Sequence, residues 1–384
     1  MPSRVSGAPV LCVVGARPNF MKIAPVLRAM QGAAPPLPVR LVHTGQHYDP
    51  EMNSQYFNAL GIPDPDINLE VGSASHAVQT AEIMRRFEPV LEHEQPAAVL
   101  VVGDVNSTLA CALVAVKKGV AVIHVEAGLR SFDRSMPEEI NRLLTDQISD
   151  LLFITERSAR ENLLREGVAE ARIHFVGNVM IDTLRYSLKD AVPAAQTLRQ
   201  YGAPAEWGQR GYAVLTLHRP SNVDDPATLR AVLGAIREVS RRLPVAFAVH
   251  PRTRAKIEQH GLGPVLEGQS ILSLPALGYL EMLGLTQVAR LVLTDSGGIQ
   301  EETTALGVPC VTLRENTERP ITVEQGTNTV VGSSPTRILT AIDDILRTGG
   351  KAGRVPELWD GRASQRIVSV LREWLDRATE RLVA

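Results

Sequence analysis

Short apolar runs recur along the chain and alternate with longer stretches whose apolar residues return with the spacing of a helix. In the first half these runs are VLCVVGA, VRLVHTG, AVLVVGD, AVIHVEAG, LLFITE and IHFVGN, the last of which ends at Asn178. Continuous apolar strands, each followed by a polar residue or glycine and then a helix, are typical of a parallel sheet covered on both faces. The pattern therefore predicts a doubly wound α/β domain over residues 1–180.

The pattern changes between residues 181 and 210, where the chain becomes polar and rich in Ala, Pro and Gly. We interpret this segment as an interdomain helix and linker. The alternation resumes with YAVLTLHR, VAFAVH, SILSL, RLVLTDSGG, PCVTL and NTVVG, which predicts a second doubly wound domain over residues 211–362. Residues from about 363 to 384 have the pattern of an amphipathic helix with no strand after it, and we expect this helix to pack back onto the first domain.

Composition and charge narrow the class of protein. Of the 384 residues, 44% are hydrophobic and 21% are charged, and 40 Lys and Arg stand against 42 Asp and Glu. This balance argues against a broad surface for nucleic acid or for a membrane, although it permits a local anion site.

Three further features predict a cytoplasmic protein. The run LACALVAVKKGVAVI is broken by two lysines and is well short of the ~18 apolar residues of a membrane helix. The first segment, MPSRVSGAPVLCVVGARPNF, has too short an apolar stretch for a signal peptide. Cys12, Cys111 and Cys310 are odd in number and widely spaced, which indicates buried free thiols in a reducing compartment.

Ligands of open parallel sheets bind beyond the carboxyl ends of the strands, so the polar residues there are candidate site residues. The first strand is followed by GARPNFMK, in which Gly15 permits a tight turn and Pro18 suits a first helical turn. Arg17 and Lys22 place two cations near the start of this helix, an arrangement suited to an anionic ligand and also found in ordinary surface helices. Neither the G-x-G-x-x-G dinucleotide fingerprint here nor a P-loop motif anywhere is present.

The second strand is followed by HTGQHYD, residues 43–49, which is dense in hydrogen-bonding groups. Two histidines without a third ligand are a poor indication of zinc, so contact with a small molecule and a turn of capped polar groups both stay open.

Carboxylates follow the next two strands along the chain. Asp104 and Glu126 lie at the ends of strands that are neighbours in sequence, which brings two carboxylates close enough for acid–base chemistry on one substrate. The alternatives are structural, with Asp104 capping the next helix and Glu126 pairing with Arg130 or Arg134.

A third carboxylate follows in SMPEE. Ser135 and Glu138 have the spacing of a capping box with Pro137 in the first turn. Glu138 would then be held rigidly at a helix start, which is compatible with a catalytic role as well.

In the second predicted domain, cationic side chains and a glycine turn likewise follow the strands. His218 and Arg219 follow its first strand in LHRPSN, opposite the first set across a predicted interdomain cleft, and His250 follows the next strand in VHPRT. The turn LTDSGGIQEE places backbone N–H groups and a hydroxyl at a helix start, which indicates a diphosphate site. Its Glu301 and Glu302 are either plain first-turn acids or acceptors for ribose hydroxyls, and Arg319 after the next strand supplies a further cation.

Taken together, the motifs GARPNFMK, HTGQHYD, GDVNST, HVEAGLRS, MPEEINR, FVGN, TLHRPSN, HPRT, LTDSGGIQEE and TERPITVEQGT resemble those of the non-hydrolysing UDP-N-acetylglucosamine 2-epimerases. They occur in the family's order from residue 11 to about 332. The resemblance implies two Rossmann-like domains facing across a cleft, as in B-type glycosyltransferases, a homodimer, and neither metal nor nicotinamide cofactor. It also implies reversible epimerisation of UDP-N-acetylglucosamine to UDP-N-acetylmannosamine at C2, by elimination and re-addition of UDP, for cell-surface polysaccharide precursors.

The resemblance also implies roles for individual residues. Positions matching the family's catalytic carboxylates are Asp104, Glu126 and Glu138, and His218 matches a catalytic or UDP-contacting histidine. Positions matching ligand contacts are Arg17, Lys22, Ser296, Gly297, Gly298, Glu302 and Arg319. Positions in motifs that bind an activating second substrate molecule in some members are Gln46, Arg219 and His250.

One segment departs from the family pattern. Some members have Gln and Phe where this chain has Leu277 and Met282, so uracil contact near Met282 is expected mostly through the main chain. Three other functions stay open: a B-type glycosyltransferase, a hydrolysing epimerase that releases the free sugar, and a non-catalytic nucleotide-sugar-binding regulator. The three carboxylates disfavour a transferase, which usually needs one base.

Overall fold

A computed structural model of the chain describes residues 7–46, 57–267 and 270–383. The chain divides into two compact units, Met1–Tyr186 with Glu357–Ala384 and Ser187–Pro356. Each unit contains one parallel sheet with helices between its strands. The predicted fold class, two doubly wound α/β domains, is therefore confirmed.

The first unit has a seven-stranded sheet in the order β3-β2-β1-β4-β5-β6-β7. Its strands are β1 (Val10–Val14), β2 (Val39–His43), β3 (Ile67–Asn68), β4 (Ala98–Val102), β5 (Ala121–Ala127), β6 (Leu151–Ile154) and β7 (Ile173–Phe175). The helices along this part of the chain are α1 (Arg17–Gln31), α2 (His76–Glu94), α3 (Asn106–Lys117), α4 (Pro137–Ile148), α5 (Arg157–Arg165) and α6 (Val179–Ser187).

The second unit has a six-stranded sheet in the order β10-β9-β8-β11-β12-β13. Its strands are β8 (Ala213–Leu217), β9 (Val245–Val249), β10 (Ile271–Leu274), β11 (Leu291–Thr294), β12 (Cys310–Thr312) and β13 (Asn328–Val330). Its helices are α7 (Ala194–Gln200), α8 (Trp207–Arg210), α9 (Pro220–Val223), α10 (Pro226–Ser240), α11 (Pro251–Gln259), α12 (Gly263–Leu266), α13 (Tyr279–Gln287), α14 (Gly297–Leu306), α15 (Pro320–Glu324) and α16 (Pro335–Thr348). The chain then returns to the first unit in α17 (Ala363–Val383).

The apolar runs form the centres of both sheets. Every residue of β1 and β4 is buried, and so is every residue of β9. All runs singled out in the sequence are strands; β3 was not predicted, because a two-residue edge strand carries too little pattern. Cys12, Cys111 and Cys310 are free and buried, as predicted.

The last helix is attached to the first unit by a buried carboxylate. Asp182 accepts hydrogen bonds from the backbone N–H groups of Ala363 (3.0 Å) and Ser364 (2.7 Å), which are the first residues of α17. The helix then packs against α1. Among the described residues no helix is long and apolar enough to span a membrane.

The strand order locates the functional end of each sheet. It reverses between β1 and β4 in the first unit and between β8 and β11 in the second. Parallel sheets bind ligands beyond the carboxyl ends of the strands at such a reversal, because the helices leaving the two strands lie on opposite faces and open a crevice there. The turns after β1, β4, β8 and β11 are therefore the expected ligand-binding positions.

Candidate functional site

The turn after β1 is locked to the turn after β4. A Cβ atom on Gly15 would lie 2.1 Å from Ser107 Oγ and 2.5 Å from Thr44 Oγ1, so only glycine fits this close approach. The Asn19 side chain accepts from Gly15 N–H (3.1 Å) and donates to the carbonyl of Val102 (2.9 Å), the last residue of β4. The predicted turn at Gly15 is therefore real, but steric crowding rather than a left-handed backbone requires the glycine.

Both predicted cations of α1 lie near this turn. Arg17 is the first residue of the helix and is half-buried. Lys22 is buried, and its Nζ lies 2.6 Å from Glu126 Oε1. The two side chains are only 6% and 2% exposed. Lys22 therefore contacts a candidate catalytic carboxylate directly.

Glu126 is placed by an irregularity in β5. The pairing of β5 with β6 shifts register between Val125 and Ala127, and Glu126 has a left-handed backbone with φ of +72°. A bulge of this kind turns one side chain away from the regular alternation of the strand. The left-handed backbone costs conformational free energy, and such strained residues are concentrated at active sites. Glu126 pairs with Lys22, while Arg130 pairs with Asp146 (2.7 Å) and Glu166 (2.6 Å), so the predicted pairing with Arg130 is not the one formed.

Asp104, after β4, is held by an arginine from α4. Its Oδ2 accepts from Arg142 Nη2 at 2.7 Å and from Arg142 Nε at 3.0 Å. Helix α3 has Val105 at its N-cap, so Asp104 precedes the cap and pairs with Arg142 instead of capping as the structural alternative supposed. The carboxylate is 18% exposed, which keeps it accessible to a ligand.

The capping box predicted for SMPEE is wrong. Helix α4 has Met136 at its N-cap with no side-chain cap, while Ser135 donates from its N–H and hydroxyl to Asp133 Oδ1. Pro137 occupies the first helical position, and fixing φ there moves the cap one residue beyond Ser135. Glu138 is in the first turn of α4 and is half-buried.

Sequence reasoning missed the neighbour of Glu138. Glu139 is buried, accepts from Arg142 Nη1 at 2.5 Å, and also accepts from the N–H groups of Ser131 and Phe132. It thereby connects the loop after β5 to the arginine that holds Asp104. Nothing in the sequence signals its burial, because the buried residues of α4 are all polar and have the spacing of a solvent-facing set: Glu139, Asn141, Arg142, Thr145 and Asp146.

Gln46, predicted at an activator site, lies against the start of α3. Its side-chain oxygen accepts from the N–H (3.0 Å) and the hydroxyl (2.7 Å) of Ser107. This bond satisfies one of the N–H groups that a helix start leaves without a partner. The adjoining residues of the same motif, His47, Tyr48 and Asp49, lie outside the described residues.

In the second unit a buried aspartate organises the turns after β8 and β11. Asp295 accepts from the N–H groups of His218 and Arg219, and its Oδ1 lies 2.8 Å from His218 Nδ1. Burial by itself raises the pKa of Asp295, but the hydrogen bonds from His218 and Arg219 outweigh burial and lower the pKa to about 2. An ionised Asp295 fixes Nδ1 of His218 as a donor, on a side chain that is 35% exposed.

The predicted diphosphate turn forms the start of α14. Ser296 is at the N-cap without a side-chain cap, and the helix begins at Gly297 and Gly298. A Cβ atom on Gly297 would lie 2.6 Å from Glu318 Oε1, so close approach requires this glycine. The first N–H groups and the dipole of α14 make this end favourable for an anion.

Buried ion pairs surround this helix. Arg319 Nε lies 2.8 Å from Glu301 Oε1, and Arg219 lies 3.8 Å from Glu318. Glu302 is buried, which raises the pKa of its carboxyl to about 7 although a hydrogen bond from Tyr279 acts in the opposite direction. The pairing of Arg319 with Glu301 was not predicted from the sequence, in which Arg319 was expected as a further cation for the ligand.

The remaining predicted positions have ordinary local surroundings. The His250 ring is 5.6 Å from that of His218, and its Nδ1 accepts from the N–H of Arg252 at the start of α11. Met282 packs against the apolar cluster that includes Tyr212 and Leu277. In the part of the chain that the structure describes, no three His, Cys, Asp or Glu side chains are grouped as metal ligands would be.

Two doubly wound units with polar clusters where their strand orders reverse define an α/β protein of the Rossmann-like class. Within that class, the family model described as UDP-N-acetylglucosamine 2-epimerase matches residues 30–372. The chain belongs to this family.

Individual relatives agree over nearly the whole length. A UDP-N-acetylglucosamine 2-epimerase of Methanococcus maripaludis is 40% identical over 362 residues, covering 94% of this chain and 97% of the relative. A UDP-2,3-diacetamido-2,3-dideoxy-D-glucuronate 2-epimerase of Pseudomonas aeruginosa is 41% identical over 369 residues, covering 94% and 99%. A crystal structure of the Methanocaldococcus jannaschii UDP-GlcNAc 2-epimerase in complex with UDP-GlcNAc and UDP has a TM-score of 0.85 and 40% identity, covering 95% of this chain and 99% of that one.

Proposed function

We propose that the protein interconverts UDP-N-acetylglucosamine and UDP-N-acetylmannosamine by eliminating UDP and adding it back. The observation that carries this proposal is the pair Asp104 and Glu126, two carboxylates at the ends of the paired strands β4 and β5. Each is held by one cation, Arg142 or Lys22. Rigid carboxylates on neighbouring strands are what successive proton transfers at one carbon require.

The second unit supplies the nucleotide site in this proposal. The N–H groups of Gly297 and Gly298 and the hydroxyl of Ser296 bind the diphosphate, and Glu302 accepts from the ribose. With both ring nitrogens protonated, His218 donates from Nδ1 to Asp295 and from Nε2 to a phosphate oxygen or to the leaving oxygen. The solved M. jannaschii relative, which is in complex with UDP-GlcNAc and UDP, supports a UDP-sugar as the ligand.

The chemistry demands both groups of residues. The hydrogen on C2 is not next to a carbonyl, so a carboxylate removes it only while the bond from C1 to the UDP oxygen is breaking. In that step the proton passes to the carboxylate, the C–H electron pair forms the C1–C2 double bond, and the C1–O pair leaves with UDP. Stabilising the departing diphosphate therefore contributes much of the rate enhancement.

The return step explains why more than one carboxylate is needed. A different carboxylic acid protonates C2 of the 2-acetamidoglucal on the opposite face while the UDP oxygen bonds to C1 again. Asp104, Glu126 and Glu138 share these roles. In the same proposal, Arg17 and Arg319 assist anion binding, the main chain near Met282 contacts uracil, and Gln46, Arg219 and His250 bind an activating second substrate molecule. The protein acts as a cytoplasmic homodimer that feeds cell-surface polysaccharide synthesis.

A second substrate is favoured by one relative. The P. aeruginosa protein, 41% identical to this chain, is named for a diacetamido glucuronate sugar. The same elimination at C2 serves either sugar, because neither a 3-acetamido nor a carboxylate substituent alters the bonds that break. Both nucleotide sugars therefore belong in the assay.

The deciding experiment incubates the protein in heavy water with each UDP-sugar and no acceptor. We expect the 2-epimer with deuterium at C2 and, on long incubation, traces of the glycal with free UDP. A product that retains its C2 hydrogen would contradict elimination. Free sugar would indicate a hydrolysing epimerase, and unchanged substrate a transferase or a binding protein. Activity is expected to survive chelators and the absence of nicotinamide.

Substitutions then test the carboxylates. Asp104→Asn, Glu126→Gln and Glu138→Gln are each expected to bind UDP normally and to lose turnover by roughly 10²-fold. The exposed Glu324, in the second unit, provides a matched Glu→Gln control that keeps its activity. Near-normal turnover in one of the three variants would remove that residue from the mechanism.

A further inference from the structure

His124 is a fully buried histidine on β5, two residues before Glu126. Its Nδ1 lies 2.6 Å from Asp146 Oδ1, and its Nε2 lies 2.7 Å from the carbonyl oxygen of Gly103. A carbonyl oxygen can only accept a hydrogen bond, so Nε2 must carry a proton. The protonation state of the ring then depends on Asp146.

Asp146 is surrounded by donors on both oxygens. Its Oδ2 lies 2.7 Å from Arg130 Nη2 and accepts from the N–H of Gly128 at 3.0 Å, while Oδ1 faces His124. A carboxylate against a buried arginine stays ionised; burial alone raises the pKa of Asp146, but His124 and Arg130 outweigh burial and lower it. An ionised Asp146 makes Nδ1 a donor as well.

The charges around the ring are consistent with a cation there. Arg130 also contacts Glu166, so two carboxylates face the two cations His124 and Arg130. Lys22 lies close to Gly103, since its Nζ is 2.6 Å from where a Cβ on Gly103 would lie, and it is paired with Glu126.

The bond to Gly103 connects the two candidate carboxylates. Gly103 has a left-handed backbone with φ of +66° and directly precedes Asp104, and its N–H donates to the carbonyl of Val125, which directly precedes Glu126. His124 bonds to the carbonyl of the same residue, in the next peptide group, which joins Gly103 to Asp104. The glycine turn is therefore fastened to β5 at two points, one of them a side chain.

We propose that His124 is a buried imidazolium and a positioning residue that fixes the turn bearing Asp104 relative to Glu126, without taking part in proton transfer itself. The positioning role rests on the proposed function, whereas the protonation state does not. A misplacement of about 1 Å in a catalytic group is enough to lower a rate by roughly 10²-fold.

Two substitutions separate the two hydrogen bonds. In His124→Gln the amide nitrogen takes the place of Nε2 and still donates to Gly103, whereas in His124→Asn it takes the place of Nδ1 and donates only to Asp146. We expect turnover in His124→Gln to fall only a few-fold and in His124→Asn by roughly 10²-fold, with UDP affinity unchanged in both. Equal turnover in the two folded variants, or an unaffected His124→Asn, would overturn the positioning role.

The protonation state of the His124 ring is measured in the wild-type protein. In ¹⁵N-histidine NMR spectra, the signal lost in either variant should show two protonated ring nitrogens. A neutral tautomer for His124 would overturn the imidazolium whether or not the variants fold. Absence of epimerisation by wild type would contradict the proposed function alone, because the NMR result is independent of activity.

Discussion

The Nζ of Lys22 and the Oε1 of Glu126 are 2.6 Å apart in a nearly water-free environment. Removing one partner of a buried pair leaves an uncompensated charge and costs about 3–5 kcal/mol, whereas removing both is often nearly neutral. Lys22→Met should therefore lower the free energy of unfolding by about that amount, and Lys22→Met with Glu126→Gln should recover most of it.

Urea unfolding of the two single variants and the double variant measures this coupling. The exposed Lys117 gives a matched control, since Lys117→Met should change stability by less than about 0.5 kcal/mol. Additive losses in the double variant would mean that the two side chains act independently.

Asp295 makes part of the stability of the second unit dependent on acid. Its pKa is lowered from 3.8 to about 2 in the folded protein, so its contribution is complete above pH 4 and disappears as the pH falls to about 2. The contribution is about 2 kcal/mol at neutral pH. Asp295→Asn should remove this part of the pH dependence between pH 4 and 2 in thermal unfolding, whereas the exposed control Asp344→Asn should keep it.

The contribution of Glu302 to stability changes with pH in the opposite direction to that of Asp295. Burial raises its pKa from 4.5 to about 7, so the carboxyl stabilises the fold fully below pH 4.5, and this advantage is lost as the pH rises to about 7. Glu302→Gln should therefore be more stable than wild type at pH 8, by at most about 3 kcal/mol, and should lose the slope between pH 4.5 and 7. Glu324→Gln should leave that slope intact. If Glu302 accepts from ribose, the same substitution should weaken UDP binding.

Phe132 combines strain with exposure. Its φ is +59° and its side chain is 71% exposed, while its N–H is held by buried Glu139. Left-handed backbone costs a side chain about 1–2 kcal/mol and is worst for β-branched residues. Phe132→Gly should therefore be more stable than Phe132→Val by at least about 1 kcal/mol. Equal unfolding midpoints for the two variants would show that the loop relaxes to another conformation.

The sequence predicted the strands well because β1, β4 and their neighbours are buried on both faces. Such strands appear in the sequence as short, continuous apolar runs that are easily distinguished from the helices between them. It also predicted where polar residues gather, since the carboxyl ends of parallel strands meet at one edge of a sheet. What it could not supply were partners distant in sequence. Nothing near Asp104 indicates that Arg142 holds it, and the bulge at Glu126 occurs without the glycine that would have marked it.

The α4 helix shows the limit most clearly. A helix that covers a sheet normally buries apolar residues, yet α4 buries Glu139, Arg142 and Asp146. Their spacing is helical, but polar residues with that spacing usually face water. The capping box failed for a related reason, because Ser135 fits the motif while Pro137 fixes a different first residue.

The attachment of α17 through Asp182 has a consequence for the order of synthesis. In sequence, the second unit, 187–356, is inserted between the two segments of the first unit. A ribosome therefore completes the second unit before it synthesises α17, the last helix of the first unit. Until Ala363 and Ser364 emerge, Asp182 lacks these two partners and the side of α1 that α17 covers stays open. The unit bearing the candidate catalytic carboxylates is therefore completed last during translation.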